Sequence, residues 1–184
     1  MRDGMRLNTE VYVPKNTTEK LPILLTRTPY GLPHDKKGFV NAFGSIYAEL
    51  AKDGYVFVFQ DARGKFRSEG EFEVMRPFKP VKQTPKDVDE STDTWDTIDW
   101  VLKTIPRNTG RVGMWGISYP GWQVVMGMMN AHPALKAASP QASPSDMFTG
   151  DDFHHNGAFR LMYAFSWLAG NARTRAGQKG RQKK

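Results

Sequence analysis

Short apolar segments alternate with helical segments along most of this chain, and this alternation constrains its fold more than any other feature. Four short apolar or β-branched segments predict buried strands, over residues 21–26, 55–59, 111–115 and 135–138. Residues 7–13 alternate apolar and polar side chains, which predicts a half-buried strand. Because parallel strands need helical crossovers between them, the alternation predicts an α/β fold with a largely parallel sheet.

The predicted helices lie between these strands. Apolar residues at helical spacing predict four helices, over residues 46–53, 87–105, 119–130 and 158–168. Residues 61–85 are rich in Gly, Pro and charge and predict a loop, whereas Asn, Thr and Gly at 108–110 predict a turn. In open α/β sheets, functional loops follow the carboxyl ends of the strands, so we expect a site there.

Composition excludes several classes of protein. The chain has 184 residues, of which 39% are hydrophobic, and these are sufficient for the core of one domain. It contains no Cys, which excludes a disulfide scaffold, a Cys-ligated metal and a thiol nucleophile. No apolar run approaches the roughly 18–20 residues that cross a bilayer. We therefore predict no membrane partner, no metal and no other cofactor.

The net charge of +7 is concentrated at the carboxyl end. Residues 171–184 carry six Lys or Arg side chains and no acidic one, so the first 170 residues are nearly neutral. We predict a globular part over 1–170 and a disordered basic tail over 171–184. A non-catalytic module that binds anionic partners through this tail is one alternative function. The sequence has no recognisable nucleic-acid-binding motif, so no nucleic acid partner is expected, and residues 61–70 lack the spacing of a phosphate-binding loop.

The strongest local motif is Gly-Ile-Ser-Tyr-Pro-Gly at residues 116–121, which follows a predicted strand and opens a predicted helix. This is the context of a nucleophile elbow, in which a tight turn exposes a serine hydroxyl. Ser118 is the candidate nucleophile, and the backbone N–H of Tyr119 is a candidate oxyanion donor at the helix N-terminus. Pro120 stands where the strict motif has its second Gly, and Gly121 follows one residue later. The alternative interpretation of Ser118 is an ordinary helix N-cap.

A serine nucleophile needs a general base, and in α/β-hydrolases the acid and the histidine follow the serine along the chain. His132 precedes a proline at a predicted helix end, which is typical of a boundary residue. His154 and His155 come before any further strand and acid-bearing loop. We therefore predict surface or supporting roles for all three, and a nucleophile without its triad partners.

An ordered set of short strings then resembles the X-Pro dipeptidyl-peptidase/cocaine esterase superfamily of serine hydrolases. Within it, the chain is most similar to α-amino acid ester hydrolases and the related glutaryl-7-aminocephalosporanic acid acylases. The strings are Met-Arg-Asp-Gly at 1–4, Leu-Thr-Arg-Thr-Pro-Tyr at 25–30, Asp-Ala-Arg-Gly at 61–64, Ser-Glu-Gly at 68–70, and the segments 93–100, 116–121 and 150–160. The elbow of the family reads G-x-S-Y-x-G, so the late Gly121 fits it.

The resemblance implies an α/β-hydrolase fold and a role for each matching residue. Ser118 matches the nucleophile, Tyr119 the backbone oxyanion donor, and Tyr30 a phenol that donates the second oxyanion hydrogen bond. Asp152 matches a carboxylate that binds the α-ammonium group of the substrate. Without the resemblance, Tyr30 would be interpreted as a packed aromatic residue with a wet hydroxyl, and both Asp152 and the adjacent Asp151 as solvated loop acids.

The resemblance also implies that the triad Asp and His, a cap and a jelly-roll domain lie beyond this chain. We therefore expect an incomplete, N-terminal part of a hydrolase domain, close to inactive alone. The implied reaction is hydrolysis of small-molecule esters or amides through an acyl-enzyme; an X-Pro dipeptidyl-peptidase-type peptidase is the alternative. Residues 1–4 are polar and predict no secretory signal in this chain. We expect a periplasmic or secreted full-length parent, which could form a homo-oligomer.

Overall fold

A five-stranded sheet forms the centre of the molecule in the computed structural model, which describes residues 1–33 and 35–171. Its strands are β1 (Thr9–Tyr12), β2 (Leu21–Thr28), β3 (Val56–Asp61), β4 (Asn108–Ile117) and β5 (Leu135–Gln141), in the spatial order β1-β3-β2-β4-β5. Strands β2 to β5 run parallel, and β1 joins β3 antiparallel at one edge. The predicted α/β class is confirmed.

Helices occupy both faces of this sheet, and a small hairpin lies beyond it. The helices are α1 (Lys36–Phe43), α2 (Ala48–Lys52), α3 (Glu90–Thr104), α4 (Tyr119–Met128) and α5 (Leu161–Asn171). The hairpin pairs β6 (His154–His155) with β7 (Ala158–Phe159). The sequence analysis did not predict α1 or the hairpin.

Successive side chains of the strands enter two different cores. One core joins the sheet to α3 and α4 through fully buried aliphatic residues, among them Ile23, Leu25, Val58, Ile98, Val101 and Val124. The other joins the sheet to α1 and α2 through aromatic rings of Phe43, Tyr47, Phe57, Phe59 and Trp115. All six side chains of β3 are buried, as expected for a strand covered on both faces.

The first turn of α3 is fixed by a capping box at Asp89. The Asp89 carboxylate accepts the Thr92 N–H at 3.0 Å, and the Thr92 hydroxyl accepts the Asp89 N–H at 2.9 Å. Each side chain thereby satisfies a backbone donor that has no partner within the helix. The helix therefore begins at Glu90, three residues after the predicted start at residue 87.

The predicted turn at residues 108–110 is wrong, because β4 already begins at Asn108. The backbone of Asn108 pairs with Leu21, and its side-chain amide donates to the carbonyls of Leu102 and Ile105, which end α3. Gly110 adopts φ +71° at an irregularity of the β2–β4 pairing. Asn108 thus ends α3 and begins β4 within one short segment. Strands β2 and β5 also extend beyond their predicted ends.

The helix predicted over 158–168 begins at Leu161 in the structure, three residues after its predicted start. Asn156 and Gly157 have φ values of +49° and +79°, and they form a two-residue turn between β6 and β7. Asn-Gly favours this conformation, because both residues tolerate positive φ at low cost. The turn places Ala158 and Phe159 in a strand instead of a helix.

One side of the described molecule is largely uncovered. Six of the seven residues of β5 are exposed, and its outer edge has no neighbouring strand within the described residues. On α5, Leu161, Met162 and Phe165 are 61%, 78% and 66% exposed. Open strand edges and exposed apolar side chains are both features through which proteins associate. The predicted basic tail lies outside the described residues except for Asn171, and no helix in the described ranges could span a bilayer.

Candidate active site

Ser118 lies on the tight turn between β4 and α4, in a backbone conformation that non-glycine residues rarely adopt. Its φ and ψ are +64° and −125°. The Ser118 N–H donates to the Gln141 carbonyl of β5 at 2.9 Å, and the Ser118 carbonyl accepts the Trp122 N–H at 3.0 Å. The side chain makes no capping hydrogen bond, so the N-cap interpretation does not account for this serine. Backbone contacts on both sides therefore hold the strained residue in place.

The two glycines of the motif are required by close backbone approaches. A Cβ on Gly116 would lie 2.4 Å from the carbonyl carbon and oxygen of Pro120. A Cβ on Gly121 would lie 2.5 Å from the Gln141 oxygen and 3.0 Å from the Gly116 oxygen. The second glycine therefore serves the packing of α4 against the end of β5, and its late position in the motif is compatible with the turn.

Tyr119 has a buried side chain and a backbone N–H at the first position of α4. Its hydroxyl accepts the Met75 N–H at 2.7 Å, and its ring stacks on Trp167 with the centroids 6.1 Å apart. Burial raises the pKa of the Tyr119 phenol, so this group stays neutral. The N–H belongs to the first turn of α4, whose donors have no acceptor within the helix. It is free to serve an anion at the helix N-terminus.

Tyr30 follows the carboxyl end of β2 and is 42% exposed. Its N–H donates to the Thr28 hydroxyl at 3.0 Å. Burial raises the pKa of the phenol, as does the nearby Asp152 carboxylate, while side-chain hydrogen bonds with Trp167 and Ser118 lower it without reversing the net rise. The phenol is therefore a neutral donor within reach of the candidate nucleophile. Its partial exposure is also compatible with the alternative interpretation, a packed aromatic residue with a wet hydroxyl.

The two adjacent aspartates differ in what they contact. The Asp151 carboxylate accepts the N–H groups of Asp152 at 2.6 Å and Ser145 at 3.3 Å, so it organises its own loop. Asp152 is exposed, and it lies near enough to Tyr30 to affect the pKa of the phenol. Both residues line the cleft at Ser118, but Asp152 is the better placed to meet a ligand.

The predicted site residues Tyr30, Ser118, Tyr119 and Asp152 line one narrow cleft. The sequence analysis missed two aromatic residues, Phe153 and Trp167, which also line it. Trp167 had no signal beyond its place on an apolar helix, whereas Phe153 belongs to a string that carried the resemblance. These rings make the cleft partly apolar, which strengthens any electrostatic interaction inside it.

None of the three histidines that follow Ser118 lines this cleft. The His132 ring packs on Trp95, and its Nδ1 accepts the Ala134 N–H at 3.1 Å; burial lowers its pKa. The His154 Nδ1 lies 2.8 Å from the Met147 carbonyl, and its ring packs between two Phe side chains. Within the described residues, the cleft thus combines a serine, two candidate hydrogen-bond donors and two carboxylates without a histidine base.

A mostly parallel sheet, helices on both faces and a serine on the turn after a central strand define an α/β-hydrolase. Residues 3–184 match the X-Pro dipeptidyl-peptidase (S15) family, and the chain belongs to that family. This confirms the resemblance stated from the sequence.

Individual relatives agree with this assignment. Cocaine esterase of Rhodococcus sp. (strain MB1 Bresler) is 33% identical over 174 residues, which cover 92% of this chain and 27% of that protein. A solved structure of an α-amino acid ester hydrolase labelled with selenomethionine superposes with a TM-score of 0.85 at 40% identity. An aminopeptidase from the marine sediment archaeon Thaumarchaeota archaeon superposes with a TM-score of 0.83, also at 40% identity. Each superposition covers 95% of this chain and 29% of the other, so the chain spans less than a third of its relatives' length.

Proposed function

We propose that this chain carries the nucleophile and both oxyanion donors of a serine hydrolase that cleaves small esters or amides. The observation that supports it most is the conformation of Ser118, whose strained backbone presents a side chain that serves no structural cap. Strain of this kind costs about 1–3 kcal/mol and persists where the surrounding structure maintains it, as at catalytic sites. Membership of a serine hydrolase family supports the same chemistry.

The proposed reaction is acyl transfer to Ser118. Ser118 Oγ attacks the acyl carbonyl while a general base takes its proton, and the carbonyl electron pair moves onto oxygen. The Tyr119 N–H and the Tyr30 hydroxyl donate hydrogen bonds to this oxyanion. The intermediate collapses to an acyl-enzyme, and the leaving alcohol or amine takes the proton from the base. Water, activated by the same base, then releases the acid.

The general base of this scheme is assigned to polypeptide outside the described residues. His132 and His154 make their contacts away from the cleft. In serine hydrolases, removal of the nucleophile or the histidine costs on the order of 10⁶ in kcat. We therefore propose that the chain alone is close to inactive, and that it becomes active when a second segment supplies the base.

The proposed substrates carry a free α-amino group next to the scissile carbonyl, as in α-amino acid esters and amides. Asp152 supports this class, because an exposed carboxylate at the mouth of a partly apolar cleft attracts an ammonium group. A related aminopeptidase and an α-amino acid ester hydrolase both carry names that fit such substrates. An X-Pro dipeptidyl-peptidase activity is the second candidate, favoured by the family match.

The decisive test is labelling with a fluorophosphonate, which reacts with activated serines. We expect the wild-type chain to be labelled slowly and Ser118→Ala not to be labelled. Tyr30→Phe should be labelled about 10²- to 10³-fold more slowly than wild type, because one oxyanion donor is lost. Equal labelling of wild type and Ser118→Ala would assign the reactivity to another residue. A folded wild-type sample that is never labelled, even after addition of a relative's carboxyl-terminal segment, would refute the proposal.

Substrate class is tested with a pair of α-aminoalkyl phosphonate esters, one with a free ammonium group and one N-acetylated. We expect Asp152→Asn to slow labelling by the free ammonium probe and to leave the acetylated probe unchanged. Asp151→Asn is the matched control, because its single amide oxygen still accepts the Asp152 N–H, the shorter of the two loop hydrogen bonds. Equal effects of the two substitutions would contradict the role of Asp152.

A further inference from the structure

Arg27 is a fully buried cation in β2, three residues before Tyr30. Its Nε donates to Gln60 Oε1 on β3 at 2.8 Å. Its Nη1 lies 3.0 Å from each of three acceptors, so two hydrogens are shared among the Glu90 carbonyl, Thr94 Oγ1 and Gln123 Oε1. The guanidinium thus joins β2 to β3, α3 and α4 at one point.

The charge of Arg27 is balanced by carboxylates of α3. Glu90 Oε2 lies 2.9 Å from Nη1, and Asp93 Oδ2 lies 3.7 Å from Nη2. Asp93 also pairs with Arg63 at 2.5 Å, and Arg63 in turn pairs with Asp3 at 2.6 Å. Buried ion pairs of this kind are often no more stabilising than apolar side chains of the same volume. Stability alone therefore does not explain why a cation occupies this position.

The position of its partners indicates a second role. Gln123 follows Tyr119 by four residues and lies one helical turn further along the same face of α4. Tyr30 follows Arg27 by three residues, just beyond the end of β2. One guanidinium therefore holds the two elements that carry the proposed oxyanion donors, and its fixed planar fork makes each contact directional.

We propose that Arg27 is a positioning residue that sets the distance between the Tyr30 phenol and the N-terminus of α4 through its hydrogen bond to Gln123. This inference rests on the proposed function, because it concerns the oxyanion donors. Arg27 itself does not line the cleft. A misplacement of about 1 Å in a catalytic group can cost about 100-fold in rate, so a small loosening of this contact is measurable.

The test compares two substitutions that each remove one acceptor of the same Arg27 nitrogen. Gln123→Met removes the hydrogen bond to α4 with little change of volume, and Thr94→Val removes one of several contacts to α3. We expect similar losses of stability in urea, but only Gln123→Met should slow fluorophosphonate labelling, by about 10- to 100-fold. Gln123→Glu should restore the wild-type rate, because a carboxylate also accepts from Arg27.

Amide hydrogen exchange reports on the contact between Arg27 and Gln123 and does not depend on any reaction at Ser118. We expect Gln123→Met, and not Thr94→Val, to accelerate exchange in the peptides covering residues 26–31 and 116–123. Equal exchange and equal labelling rates in the two variants would overturn the inference. If wild type is never labelled, the proposed function fails, while the exchange comparison still decides whether Arg27 couples the two elements.

Discussion

The carboxylate of Asp89 offers a test of how the loop before α3 is held. Its Oδ1 accepts the Thr92 N–H at 3.0 Å and the Ser91 hydroxyl at 2.7 Å. Its Oδ2 accepts the Lys79 N–H at 2.9 Å and lies 2.7 Å from the Lys82 ammonium. The residue is 1% exposed, so solvent screens these interactions weakly.

These contacts set the pKa of Asp89 and hence its contribution to stability. Burial would raise the pKa, but the Lys82 ammonium and the hydrogen-bond donors around the carboxylate lower it from 3.8 to about 2. A difference of this size between folded and unfolded chains corresponds to about 2–3 kcal/mol. Because the folded pKa is the lower one, the contribution is complete above about pH 5 and is lost progressively as the pH falls towards 2.

The perturbation is Asp89→Asn, which keeps an acceptor for the helix cap and removes the charge. We expect it to lower the free energy of unfolding at pH 7 by about 2–3 kcal/mol, and Asp89→Ala to lower it further by about 1 kcal/mol, because the cap is lost as well. The assay is urea denaturation followed by circular dichroism at several pH values from 7 to 3. A difference between wild type and Asp89→Asn that stays constant over this range would refute the reasoning.

Two further substitutions test the geometry around Ser118, and each has a control. Gly121→Ala should cost about 1–3 kcal/mol in urea denaturation, because its Cβ would meet the Gln141 oxygen at 2.5 Å. Gly170→Ala is the control in α5, where a Cβ meets nothing within 4 Å, and it should stabilise the chain by up to about 1 kcal/mol. Ser118→Gly should raise stability by about 1 kcal/mol, because glycine relieves the strain at φ +64°, and Ser118→Ala should not. Equal melting temperatures of these two variants would contradict the strain.

The turn at Ser118 could be predicted from sequence because its determinants are local. A strand, two glycines and a helix within a dozen residues leave few ways to build the connection, and the structure contains that turn. The place of Tyr30 beside Ser118 depends on the pairing of β2 with β4, which no local pattern encodes. Only the resemblance connected these two residues, and their catalytic roles stay predictions.

Other features could not be predicted because tertiary contacts decide them. The strand predicted over 21–26 covers only the apolar run, whereas β2 continues to Thr28 because the carboxylates of α3 balance the buried charge of Arg27. By contrast, the hairpin turn at Asn156 has a local signal in its Asn-Gly pair, which favours a turn where the apolar spacing of 158–168 favours a helix. The type of an element was therefore predictable where apolar periodicity and turn residues indicated the same structure. The prediction failed where they indicated different structures.

The buried charge of Arg27 also bears on how the chain is synthesised. β2 lies at the middle of the sheet, yet β4 begins only at Asn108, and the carboxylates that neutralise Arg27 arrive with Glu90. At about 5–20 residues per second, a ribosome leaves β2 paired only with β3 for several seconds. During that interval an inward-pointing cation at the open edge discourages a foreign strand from pairing there. Arg27 would thus protect the incomplete sheet from association during synthesis, before its hydrogen bonds connect the elements of the complete sheet.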